Sequence, residues 1–347
     1  MVSVSIRTRR PISIVMVLVA VIATLLATTT GASARGQDKH GAVFTMTNAS
    51  GGNEVVAFKR SADGQLTPDG AYPTGGNGSG AGLGSQGSLV LSENGRWLLA
   101  VNAGSDSVSA FRVTPAGLKL RSVVHSGGDM PISVTIHDQM VYVLNAGAAE
   151  NISGFRLHSN GSLLAVAGSA RPLSGTGVAP AQVQFTSDGS KLVVTEKGAN
   201  KIDVYLVDGA GLASMPVVND SNGMTPFGFD IAPDGTLVVS EAFGGAPNAS
   251  AMSSYRIMDD GTLDLVSGTV PTTETAACWV VVTPKGNNAY TANTGSGSVS
   301  GYALDDDGAL SLLNADGQTG LTGPGSRPID AADAAGRKAG DIANMGQ

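Results

Sequence analysis

Six times along its 347 residues the chain writes an apolar strand ending in Asn or Glu, a turn of small residues, and a strand ending in Phe or Tyr. The copies span residues 43–58 (VFTMTNASGGNEVVAF), 98–111 (LLAVNAGSDSVSAF), 141–155 (VYVLNAGAAENISGF), 192–205 (LVVTEKGANKIDVY), 237–255 and 289–302 (AYTANTGSGSVSGY). Their closing aromatics fall about 44 to 53 residues apart, a period typical of units that cannot bury an apolar face alone and must stack on neighbours. Repetition at this spacing predicts propeller blades or another repeat array rather than a string of separate domains.

Each phrase sits inside a longer unit. Before it comes an alternating apolar run that ends in a turn, at residues 88–95 (SLVLSENG), 182–189 (QVQFTSDG), 227–235 (FGFDIAPDG) and 279–286 (WVVVTPKG). Asn-Gly or Asp-Gly pairs in three of these supply the positive φ that tight hairpins require. After the phrase comes a second turn and an outer strand, at residues 63–66 (DGQL), 160–163 (NGSL), 260–263 (DGTL) and 307–310 (DGAL). The unit is therefore four antiparallel strands, and the fold class is an all-β propeller. The first unit lacks a first strand of its own. Arg327, Pro328, Ile329 and Asp330 begin like the other first strands, so the two chain ends are expected to share one blade and remove a sheet edge. On this count six repeats are visible. Residues 331–347, rich in Ala and Gly, break the pattern and are expected to be an irregular tail.

Arg7, Arg9 and Arg10 precede an apolar stretch over residues 12–27 and then Ala32, Ser33 and Ala34, the small-residue pattern of a signal cleavage site. Residues 1–34 are read as an export signal, leaving residues 35–330 for the propeller and a secreted or periplasmic location. No stable membrane span is expected once the signal is removed. Its loss takes the formal charge from −7 to about −10, a balance that repels phosphate backbones and argues against nucleic acid as a partner. Cys278 is the single cysteine, so no intramolecular disulfide can form. Sheet packing and ring closure must hold the fold, and a monomer is expected.

With the unit laid out, residues 43–330 resemble the lactonase-type seven-bladed propellers, the family of bacterial 6-phosphogluconolactonase and fungal carboxymuconate cyclase. The resemblance rests on the recurrent first strand, Asp-Gly turn, second-strand Asn and closing aromatic. It implies a carboxylic ester hydrolase acting on lactones, or a related lactonising cyclase. Enzymes of this family carry Arg and His at first-strand starts and a Glu after a second strand. Here the comparable start reads Ala179, Pro180, Ala181 and Gln182, and Glu196 is the match for the glutamate. A complete further repeat, expected in a seven-bladed relative after Arg327 and Pro328, is not visible.

The turn position holds Asn48, Asn102, Asn145 and Asn293 in four repeats, but Glu196 and Glu241 in the other two. If the two acids faced one channel mouth, their repulsion would raise one pKa and suit it to activate water. The same residue types also serve simply to accept hydrogen bonds from turn amides, and both readings stand at this point. Arg327 and Lys197 are candidates to hold a carboxylate or an oxyanion. Gln182, Asn145, Asn293 and Trp279 are placed by the repeat near the channel as candidate ligand contacts. Cys278 has no sequence-adjacent histidine to activate it and reads as a buried structural residue. No metal motif stands out, and no cofactor is expected.

Two functions follow. One is a secreted hydrolase, or a cyclase, of a small lactone or carboxylated ring, with Glu196 or Glu241 as base and Arg327 or Lys197 as anion clamp. The other is a non-catalytic secreted propeller that binds a protein or glycan of the cell envelope.

Overall fold

A computed structural model describes residues 41–61, 63–329 and 331. The signal expected over residues 1–34 and nearly all of the expected tail lie outside the described residues. The described chain forms six small antiparallel sheets, one for each repeat, and almost no helix.

Five sheets are complete blades. The second is built from Leu89–Leu91, Trp97–Asn102, Ser107–Thr114 and Gly117–His125, paired in that order from the inside outward. The fourth and fifth follow the same order, beginning with Pro180–Phe185 and Pro226–Ile231. In the third and sixth, which begin with Pro131–His137 and Ala277–Val282, the outer strand is split into two short pieces on the same neighbour. The glycines of the inner hairpins do what the sequence requires of them: Gly95 and Gly189 adopt φ of 65° and 70°.

The apolar cores lie between adjacent blades. Val134 and Ile136 of the third blade pack on Leu99, Val101 and Val108 of the second, and Phe229 of the fifth packs on Val193 and Val204 of the fourth. Five closing aromatics, Phe111, Phe155, Tyr205, Tyr255 and Tyr302, are buried. Each contributes about 1.5–3 kcal/mol if it behaves like a typical buried large side chain. Tyr205 and Tyr302 also reach the preceding blade, donating to the carbonyls of Pro172 and Val270 at 3.0 Å each.

Inner strands meet through side chains that stand in for a neighbouring strand. Gln182 accepts from the Phe229 amide at 2.8 Å and donates to its carbonyl at 2.9 Å, and Asp230 accepts from the Val282 amide at 2.8 Å. From the second blade's lead-in, Gln86 does the same for Val280, at 2.9 and 2.8 Å. A propeller's inner strands leave edge amides and carbonyls facing the axis, and these polar side chains satisfy them.

The first sheet differs. It has three strands, Gly41–Met46, Glu54–Arg60 and Leu66–Pro73. Gly41–Met46 is a second strand by register and sequence, yet no residue in it is fully buried, whereas Trp97–Asn102, Met140–Asn145 and Thr236–Glu241 are buried throughout. Among the described residues the expected inner strand from the C-terminus is present only as an approach. Residues 327–329 are not strand; Ile329 packs on Cys278, Trp279 and Ala292, and Thr294 donates to the Pro328 carbonyl at 2.7 Å. Pro328 has no amide to give a ladder, and the turn just before it, with Gly323 and Gly325 at positive φ, sets the chain along the sixth blade.

Candidate functional site

The five complete second strands end at Asn102, Asn145, Glu196, Glu241 and Asn293, each fully inaccessible to solvent. The asparagines do one job. Asn102 donates to Ser107 and Ser109 at 3.2 and 2.8 Å, Asn293 to Ser298 and Ser300 at 3.1 and 2.8 Å, and Asn145 to Asn151 and Ser153 at 2.7 and 3.3 Å. Each amide ties a second strand to the third strand after its turn. Neighbouring serines carry the network to the preceding blade's last loop: Ser109 donates to the Thr74 carbonyl at 2.8 Å.

The two glutamates take the same place with different chemistry. Glu196 accepts from the Ser174 amide at 2.9 Å and from the Ser174 hydroxyl. Glu241 accepts from the Gly223 amide at 2.8 Å and from Ser253 at 2.5 Å, while its Oε2 has no hydrogen-bond partner. Burial pushes the Glu241 carboxyl above its ordinary pKa. The acids sit in separate blades. The acidic neighbour of Glu196 is Asp203, also buried, on the third strand of the same blade. Burial first, and then the Glu196 carboxyl, push Asp203 up to about 8, so it holds a proton at neutral pH. Asp203 escaped the sequence reading although a signal was there: it stands where the other repeats place Ser109, Ser153 and Ser300.

A cavity of about 320 Å³ opens at this same end of the channel, between the open first blade and the sixth. Its walls are mostly apolar: Met46, Leu83, Leu89, Phe227, Trp279 and Ile329. Asn48, Ser85, Thr294 and the Cys278 thiol add polar atoms, and among the described residues no charged side chain lines it. Lys197 supplies charge from the wall. Its ammonium donates to the carbonyl of Gly84, a lining residue, and lies 4.6 Å from the ring centroid of Phe227, another. Burial lowers the Lys197 pKa to about 8 and raises the Cys278 thiol to about 11. The glycine-rich connection over residues 75–87 makes this packing feasible. A Cβ on Gly78 would lie 2.1 Å from the Asn48 carbonyl, so only glycine lets the loop lie against the first blade.

The structure thus puts Trp279 in the lining with Phe227, Gly84 and Cys278, and sets Lys197 against Gly84 and Phe227 without making it a lining residue. It does not bring the other candidates there. Glu196, Glu241, Asn145 and Asn293 are bonded inside their blades and do not line the cavity. Gln182 binds the Phe229 backbone and lines a second cavity of about 480 Å³ toward the opposite end of the inner strands. Arg327 is exposed and lies outside both linings. Among the described residues no cluster of three or more His, Cys, Asp and Glu converges as a metal site.

Comparison with known proteins agrees with this architecture. Residues 38–178 match the family model described as lactonase, 7-bladed beta-propeller. A search of curated proteins found no match. Among solved structures, the periplasmic gluconolactonase PpgL of Pseudomonas aeruginosa is similar at TM-score 0.61 and 19% identity, over 79% of this chain and 81% of that one. A protein of Lactobacillus plantarum gives 0.62 and 21%, over 79% and 80%. A candidate 6-phosphogluconolactonase from Bacteroides uniformis ATCC 8492 gives 0.62 and 16%, over 78% and 80%. Identities this low speak to the fold. Over residues 38–178 by sequence, and across six blades by fold, the chain is similar to the lactonase-type seven-bladed propellers.

Proposed function

We propose that the channel-mouth cavity binds a small lactone or carboxylated ring and that the protein hydrolyses or forms that ring outside the cytoplasm, as a monomer. The observation that carries this reading is the Lys197 ammonium, held against Gly84 and Phe227 in the lining of a largely apolar cavity that has no charged side chain among its described lining residues. Such a cavity holds the body of a ring by burial and its carboxylate or developing oxyanion by one charge. The family match over residues 38–178 and the export pattern over residues 1–34 support the class and the compartment, in which an unphosphorylated ring is the natural choice. In this reading Glu196 is a positioning residue. Its bonds to Ser174 anchor the turn that begins with Lys197.

A second reading draws on the same cavity. Because no carboxylate or imidazole among the described residues lines it to activate water, a non-catalytic secreted propeller that binds a protein or glycan of the cell envelope fits equally directly. Hydrolysis of a panel of aldonolactones and acyl lactones by the chain from Arg35 onward, beside Lys197→Met, separates the two. The enzyme reading expects saturable turnover that falls at least about ten-fold in the variant. Absence of turnover by a folded, monodisperse protein sinks it and leaves the binding reading.

A further inference from the structure

Lys197, which the lactone reading uses as a charge, can also act as a nucleophile from its place against the lining residues Gly84 and Phe227. Lys197 has no carboxylate partner among the described residues. Its nitrogen is held by one carbonyl, that of Gly84, and lies over the face of Phe227. The Phe227 and Trp279 rings, with centroids 5.3 Å apart, form an aromatic wall beside it. Cys278, the other nucleophilic atom there, is 7% exposed and donates to the Ala276 carbonyl at 3.2 Å.

We propose that this is a carbonyl-capture site: a small aldehyde with an aromatic or aliphatic body enters the channel-mouth cavity, and the Lys197 amine condenses with it to a reversible imine. The amine lone pair attacks the carbonyl carbon, forming a C–N bond while the C=O π pair moves to oxygen. After proton transfer from nitrogen to oxygen the carbinolamine loses its hydroxyl together with the remaining N–H proton as water: the C–O and N–H bonds break and C=N forms. Nothing is oxidised or reduced. Donation of one N–H to the Gly84 carbonyl leaves the lone pair of the neutral amine unengaged.

Two properties favour Lys197 over the other lysines. The pocket is apolar, which is how proteins prepare Schiff-base lysines. With its pKa lowered by burial to about 8, roughly a quarter of the amine is neutral at pH 7.5, against about one part in a thousand for an ordinary lysine. Cys278, raised to about 11, stays a thiol at that pH and does not compete. This capture does not depend on lactone turnover, and its readout is separate from it.

The test uses the unmodified protein with benzaldehyde and cyanoborohydride at pH 7.5, followed by peptide mass mapping. Hydride trapping of the imine fixes a benzyl group on the nitrogen. The expected result is labelling of Lys197 at least about ten-fold faster than of the exposed Lys119 and Lys285, with a rate that saturates in benzaldehyde. Equal labelling of the three lysines, or a rate at Lys197 that rises linearly without saturation, overturns the proposal.

Discussion

The second and sixth blades close their turns with an amide, and the fourth and fifth close the same turns with an acid. In Asn102 and Asn293 the side chain offers donors that meet serine hydroxyls on the third strand. Glu196 and Glu241 are acceptors only when ionised, so they draw instead on donors from the preceding loop, the amides of Ser174 and Gly223. One geometric task therefore admits two chemistries. The amide version is indifferent to pH, while the acid blades carry a buried carboxyl whose protonation is tied to folding, Asp203 in the fourth and Glu241 in the fifth.

Three substitutions break or sharpen that contrast. Asn102→Ala removes the donors to Ser107 and Ser109 and the acceptor for the Asn53 amide at 3.0 Å, leaving buried groups unpaired. It is expected to cost roughly 3 kcal/mol at any pH near neutral, measured by denaturant unfolding. An unchanged midpoint would show that the amide is dispensable to the turn.

Asp203→Ser installs the residue type of the amide blades beside Glu196. A carboxyl raised from its ordinary value to about 8 keeps its proton in the fold and loses it when unfolded, so native stability is lost as pH rises from about 4 through about 8. The variant should lack that decline and gain several kcal/mol on its parent between pH 5 and pH 8, about 1.4 kcal/mol for each pH unit over which only the unfolded carboxyl is ionised. Parallel stability–pH curves for the variant and its parent would contradict the protonated Asp203.

Glu241→Gln has the smallest expected effect, within about 1 kcal/mol, because the amide oxygen keeps the bonds from Gly223 and Ser253 while its nitrogen replaces an oxygen that had no partner. Since burial raises the Glu241 carboxyl, the substitution should become more favourable as pH rises above the ordinary carboxylate range. Thermal melts at several pH values read this. A benefit that grows toward acid would reverse the assignment.

Much of the fold was legible because the repeat encodes it locally. Alternation marked the second and third strands, Asn-Gly and Asp-Gly marked the hairpins, and the closing aromatics marked the faces that meet the preceding blade. The site was less legible because it is assembled across the ring. Period and register place Lys197 at a turn, but its ring partner comes from Phe227 of the next blade and its carbonyl from Gly84 of the second blade's lead-in. Gln182 shows the same limit from the other side. Its position near the axis was readable, whereas its bonds to the backbone of Phe229 depend on a strand 47 residues away. Glu196 and Glu241 stood out by breaking a pattern, yet a broken pattern cannot say which neighbour compensates it, and Asp203 was the missing half.

The open first blade changes what occupancy of the channel mouth means for folding. Met46, near the beginning of the described chain, and Ile329, near its end, line one cavity. Contacts of such sequence separation form late and carry the largest loop-closure cost. A molecule seated between them would contact both ends at once and favour the closed arrangement, adding about 2.7 kcal/mol at a hundredfold excess over its Kd if it binds only the folded chain. Occupancy of the mouth and integrity of the seam are then a single linked equilibrium, readable from either side.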